Sequence, residues 1–176
     1  MKRAIQIVLV LAIIGLAVWG WMAMHPSPEK VVRSRLNDLA KALSFKPGSG
    51  ALAQAYNAQK VSEFFTTDVD VEVDLSGFQP VSLHGRDEVM QIAMAARSRL
   101  TSLQIEFPDM NVTMGPDGQS AKVNLTGKGI IPGERDISAQ EFNFNLKKVD
   151  GKWLIYHVET VRTLSSIAAE VTKRSV

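Results

Sequence analysis

Cysteine is absent from the 176 residues. That excludes a disulfide scaffold, thiolate-bound zinc, cysteine catalysis and a lipoprotein-type cysteine anchor. Histidine is scarce, with only His25, His84 and His157. One of the three stands beside an apolar N-terminal run, so no histidine-based metal site is expected. Neither sign of charge dominates: 20 Lys and Arg stand against 18 Asp and Glu. A nucleic-acid protein usually shows a clustered basic surface, and no nucleic-acid partner is expected. Aromatic residues make up 7%, yet a 45% hydrophobic content with a net charge of +2 speaks against disorder. There is no phosphate-binding glycine loop, serine elbow or zinc-type histidine motif, and no cofactor is expected.

What the chain has is one long apolar run. Residues 4–24, Ala4 to Met24, carry no charge, and Gln6 is their one strongly polar member. As a helix this run would be about 31 Å long, close to the roughly 30 Å hydrocarbon core of a bilayer. Trp19 and Trp21 lie near one end, where indoles favour the headgroup interface. Lys2 and Arg3 precede it, and the positive-inside rule holds such an N-terminus in the cytoplasm. The rival is a cleaved signal peptide. The run exceeds an h-region of about 7–15 residues, and Trp21-Met22-Ala23-Met24-His25-Pro26 has no small-x-small site. Gly15-Leu16-Ala17 has that spacing but lies inside the run. The expectation is an uncleaved single-pass anchor spanning residues 1–24, with the rest periplasmic or otherwise extracytoplasmic. Beyond Arg3, 18 basic and 18 acidic residues remain, so the exported part is formally neutral.

After the linker 25–28, Ser27 is placed to cap a helix and Pro28 to occupy its first position. Val32, Leu36, Leu39, Ala40 and Leu43 keep helical spacing, and Lys46-Pro47-Gly48 ends it. A second helix is expected over Ala51 to Thr66. The period then falls to two: Val69, Val71 and Val73 alternate with Asp70, Glu72 and Asp74. Val81 to His84 reads as a short strand, and Gly85 opens a third helix ending near Arg99. Leu103, Ile105 and Phe107 alternate. Pro108-Asp109 shifts the parity to Met110, Val112 and Met114, suggesting a bulge or an edge strand. Strands around Val123 and Phe144, an Asp150-Gly151 hairpin turn and a strand from Trp153 to Arg162 follow. Leu164, Ile167, Ala168 and Val171 suggest a short amphipathic tail over 164–176. The order, α-α-β-β-α-β-β-β-β-α, is an α+β layer architecture: a curved antiparallel sheet with three helices on its concave face.

Phe64-Phe65-Thr66-Thr67-Asp68-Val69 entering the first strand, Leu83-His84-Gly85-Arg86-Asp87-Glu88-Val89 entering the third helix, and a meander closing on Asp150-Gly151-Lys152-Trp153-Leu154-Ile155 resemble the nuclear-transport-factor-2-like superfamily. Its fold is also called cone-shaped, cystatin-like or SnoaL-like. The resemblance covers residues 29–163 and implies a conical cavity between helices and sheet. Ketosteroid isomerase and non-catalytic members share that cavity, so function rests on the residues present. The isomerase-type base would fall in Val71-Glu72-Val73-Asp74. With the valines inward, the carboxylates face water and the base is missing, although a one-residue slip reverses this. An inner-membrane helix followed by an exported cone domain resembles, in layout alone, the bitopic assembly component of type IV secretion systems.

Each candidate site residue has a plain structural role as its rival. Tyr56 on the second helix is a candidate phenol in the cavity or an ordinary core tyrosine. His84 is an acid or base at the rim, its ordinary pKa about 6.5, or a strand-end histidine bonded to backbone. His157 and Glu159 share a strand face about 6–7 Å apart, as a catalytic pair or as part of a solvated sheet. Arg86, Arg97 and Arg99 would clamp an anion or simply end a solvated helix. Asn111-Val112-Thr113 and Asn124-Leu125-Thr126 match the glycosylation sequon but fall inside strands. Val69, Val71, Val73, Phe107, Phe142 and Phe144 are the apolar cavity candidates. The leading expectation is a non-catalytic interaction or small apolar ligand-binding module of a bacterial-type envelope. Its partners would be the bilayer through residues 4–24, an envelope protein and, by the resemblance, a second copy through the outer sheet face. The alternative is an isomerase, dehydratase or hydrolase acting on a small apolar substrate.

Overall fold

The switch from helical to alternating periodicity predicts helices first and sheet afterwards. The computed structural model, which describes residues 27–48, 50–74, 79–131 and 138–161, has that order. Two helices, α1 (Pro28–Leu43) and α2 (Ala51–Ser62), precede β1 (Phe65–Val73) and β2 (Val81–His84). Then come α3 (Arg86–Arg99), β3 (Gln104–Met114), β4 (Ser120–Ile130), β5 (Ser138–Val149) and β6 (Lys152–Thr160). The expected membrane segment, Ala4 to Met24, and the expected tail lie outside the described residues. Among the described residues no helix is long and apolar enough to cross a membrane.

Pro28 opens α1 as its spacing predicts, and Ser27 occupies the cap position. The Ser27 hydroxyl makes no cap bond; its carbonyl instead accepts from the Val31 N–H at 3.2 Å. Helix α2 stops at Ser62, short of the expected Thr66. Phe65 and Thr66 belong to β1, and Phe65 pairs with Ile155. An aromatic, β-branched run prefers a pleated, half-buried surface, and β6 supplies one.

All six strands form one sheet in the order β2-β1-β6-β5-β4-β3. It is mixed, not wholly antiparallel as expected, because β1 and β6 run parallel. Parallel neighbours need a long crossover, and everything from β2 to β5 lies between them. The other pairs are antiparallel. The sheet is curved. Register shifts interrupt the pairing between Phe65 and Asp70, between Glu106 and Asp109, and between Asn145 and Leu146. Such irregularities bend a strand and tighten its twist. The second surrounds Pro108 on edge strand β3, where a missing N–H costs no ladder bond. Asp150 and Gly151 turn with φ of 49° and 77°, the left-handed pair of a tight hairpin.

Val32, Leu36 and Leu39 of α1 are buried against Val61, Val69, Val123, Leu146 and Ile155. Removing this apolar surface from water is the main stabilising force, about 1.5–3 kcal/mol per large side chain. Helix α1 also closes the β3 edge. Phe45 and Leu103 exchange backbone bonds of 2.8 and 3.0 Å. The Ser44 hydroxyl accepts from the Ile105 N–H at 2.9 Å, and Arg33 Nη1 donates to the Met110 carbonyl at 2.8 Å. At the other side of the helix Arg35 reaches the carbonyls of Glu63 and Trp153 and lies 4.0 Å over the Phe64 ring.

Candidate functional site

The inward face of the sheet is apolar, as the alternation requires. Val69 and Phe144 are buried, Val71, Phe107 and Phe142 are half-buried against the same core, and Val73 is half-buried without packing on it. Phe107 and Phe142 meet Phe144 edge-on at 6.1 and 6.2 Å, a favourable aromatic geometry. Gly127 makes room for this cluster: a Cβ there would lie 2.8 Å from the Phe142 ring.

Beside Phe107 an open trough of about 1000 Å³ runs between the end of α1 and the start of β3. Ala40, Phe45, Leu103, Ile105, Phe107 and Ile130 line it with apolar surface. Several of the polar groups around it are engaged within the protein, while Lys46 at its edge enters no ion pair among the described residues. Ser44 Oγ donates to the Ala40 carbonyl at 2.8 Å while accepting from Ile105. Lys41 pairs with Asp38 at 2.9 Å, and the Gln104 amide donates to Glu106 at 2.7 Å. This arrangement suits binding an apolar body. It does not present a nucleophile with a base beside it, which covalent catalysis requires.

The titratable candidates lie elsewhere. On the outward face, His84 Nδ1 lies 2.7 Å from Asp70 Oδ1, and both side chains are solvated. The Asp70 hydrogen bond and charge raise the His84 pKa above its ordinary value, with Glu88 and Glu72 adding to the effect. His157 and Glu159 share that outward face, Nε2 to Oε2 at 3.7 Å. Asn143 Nδ2 donates to Glu159 Oε1 at 2.9 Å, and Asn124 donates to Asn143. The Asn143 bond is the foremost cause holding Glu159 below its ordinary pKa, and His157 adds to it. Thus His84 is not at a cavity rim, and its partner is Asp70. Tyr56 is 58% exposed, under the Lys60 ammonium at 4.6 Å, so its phenol does not enter a cavity. The pairing does set His84, Asp70 and His157 in one row across β2, β1 and β6, while Tyr56 projects from α2 toward solvent.

Among the three arginines, Arg99 is exposed and Arg86 donates to the Phe65 carbonyl. Arg97 is buried, contrary to the solvated helix end expected for it. Among the described residues no group of three His, Cys, Asp or Glu is arranged to hold a metal ion. The trough itself went unread in the sequence. Lys46-Pro47-Gly48 reads as a helix stop, and the one available signal is Phe45, an aromatic residue just before that stop.

No family model and no curated protein sequence matches the chain. Solved structures do. A domain of unknown function with a cystatin-like fold from Nostoc punctiforme superposes with a TM-score of 0.63 at 17% identity, covering 86% of this chain and 88% of that one. The fold is the cystatin-like cone. An NTF2-like protein of unknown function from Pseudomonas putida gives 0.59 at 10% identity, over 77% of this chain and 86% of its own. A Novosphingobium aromaticivorans protein provisionally named a scytalone dehydratase gives 0.56 at 14% identity, over 76% and 83%. At these identities the cone likeness concerns architecture alone.

Proposed function

We propose that the chain is a membrane-anchored cone domain that acts as a non-catalytic interaction or small apolar ligand-binding module of the cell envelope. Residues 1–24 would anchor it, 25–28 would link, 29–163 would form the cone domain and 164–176 an amphipathic tail. The N-terminus would be cytoplasmic and the domain periplasmic. A bilayer, an envelope protein and a second copy of the chain are the partners this layout suits. One observation carries the binding reading: the concavity is walled mainly by apolar side chains, and Ser44, Lys41 and Gln104 at its edge are paired within the protein. A sizeable concavity lined mainly by apolar side chains favours a binding role over a chemical one.

The alternative, an isomerase, dehydratase or hydrolase on a small apolar substrate, draws on the likeness to the provisionally named dehydratase. It would use Tyr56, His84, His157 or Glu159. The exposure of Tyr56 and His84 weighs against it, although His157 and Glu159 are half-buried.

Two measurements on the full chain test the proposal. Alkaline carbonate should leave it in the membrane pellet, and protease added outside the cytoplasmic membrane should digest the domain. Native mass spectrometry of the chain released from detergent should show an apolar molecule carried along. Extraction by carbonate would sink the anchor; a turnover lost on Tyr56→Phe together with His157→Ala would sink the non-catalytic role.

A further inference from the structure

Arg97 is 7% exposed, yet no ion pair among the described residues includes it. Its Nη2 donates to the Ala42 carbonyl, and the guanidinium lies 4.8 Å over the Phe45 ring. A guanidinium carries five N–H donors, and an interior cation without a counter-charge is costly. Arg35 shows the contrast: burial lowers its pKa, but Asp38 and Glu63 act in the opposite direction. For Arg97 burial alone acts, pushing the value down with no carboxylate to oppose it.

Arg97 borders a recess of about 220 Å³ that Phe45, Lys46, Gln54 and Thr101 also line. Lys46 is exposed and enters none of the ion pairs. The recess and the apolar trough share Phe45, Lys46 and Pro47 as a common wall. Among the described residues Arg97, without a carboxylate partner, thus stands on one side of this wall and apolar surface on the other, with the unpaired Lys46 in the wall itself, bordering both.

We infer that the recess receives the anionic head of an amphiphile, a long-chain carboxylate, whose hydrocarbon chain crosses the Phe45–Pro47 wall and lies in the trough. This rests on the ligand-binding reading and names its substrate class. The carboxylate supplies the missing counter-charge through a bidentate bond to Arg97, for which guanidinium geometry is suited. Lys46 adds charge from the rim. The chain covers Phe45, Ile105 and Phe107 and removes their exposed surface from water.

The test is photo-crosslinking of the full chain in detergent micelles by a diazirine-bearing hexadecanoate. Labelling is expected on peptides covering 40–47 or 102–108. Hexadecanoate should compete at least about ten-fold more effectively than hexadecanol, and sodium phosphate should compete weakly. Lys46→Glu and Arg97→Lys should each erase the preference for acid over alcohol. Folding is checked by thermal melting; if Arg97→Lys does not fold, the exposed Lys46→Glu decides. Equal competition by acid and alcohol would overturn head recognition while the apolar-ligand reading stands. Displacement by neither would overturn both. Phosphate competing as well as hexadecanoate would reduce the site to a plain anion pocket and overturn the amphiphile.

Discussion

Asp70 and His84 face one another across the β1–β2 ladder, the carboxylate oxygen 2.7 Å from Nδ1 of the ring. They lie on the outward face of the sheet while Val71 and Leu83, the next pair along, turn inward to the core.

The Asp70–His84 contact predicts a pH-dependent contribution to stability. The folded pKa of His84 is raised, so the contact stabilises fully below the unfolded value of about 6.5 and fades as pH rises through the folded one. Asp70→Asn should lower the His84 titration, followed by NMR, toward its ordinary position, with Glu88 and Glu72 still raising it. The melting difference between the parent and this variant should be present at about pH 5 and shrink as the pH rises through the folded His84 value.

Glu159 behaves in the opposite sense. Asn143 and His157 hold its pKa down, so its contribution is present above the unfolded pKa and disappears as pH falls through the folded one. Asn143→Leu should raise the Glu159 value measured by carboxyl NMR. Asn143→Asp should raise it further, because like charges then meet across the β5–β6 pair.

Gly127 and Gly129 sit two apart on β4 but should respond differently to alanine. At Gly127 a Cβ meets the Phe142 ring at 2.8 Å; at Gly129 its nearest contact, Ile105 Cδ1, is an ordinary 3.6 Å away. Gly127→Ala should cost about 1–3 kcal/mol through overpacking. Gly129→Ala should be neutral or stabilise by about 0.4–1 kcal/mol through the unfolded chain. Urea unfolding of both variants checks the contrast.

Ser44→Ala removes the acceptor of the Ile105 N–H. The bond is half-buried, so the expected loss is about 0.5–1.5 kcal/mol, the range for an ordinary hydrogen bond. Hydrogen exchange at Ile105 should accelerate well beyond that at Leu103, which keeps its bond to the Phe45 carbonyl.

The order of elements was legible because the apolar period changes where the chain changes: Val32, Leu36 and Leu39 on a helix, Val69, Val71 and Val73 on a strand. The Pro108 parity shift announced a real irregularity in β3. The parallel β1–β6 contact was not legible, since alternation tells which face a residue takes and not which strand lies beside it. The same gap hid the trough. Its walls come from α1, the Phe45 segment and β3, which meet only through tertiary pairing. Tyr56 was misplaced because Ala58 and Val61 set the buried stripe of α2. His84 was readable in principle: pairing Val73 with Val81 turns Leu83 inward and the histidine outward.

The docking of α1 along the β3 edge makes one helix serve as both wall and bolt. Its displacement would strip the groove of a side and, in the same motion, bare the strand backbone now capped by Ser44, Phe45 and Arg33. Bare edges recruit strands from neighbouring molecules, so clumping of heated or overcrowded protein should begin with the loosening of this helix. A guest seated in the groove would delay it.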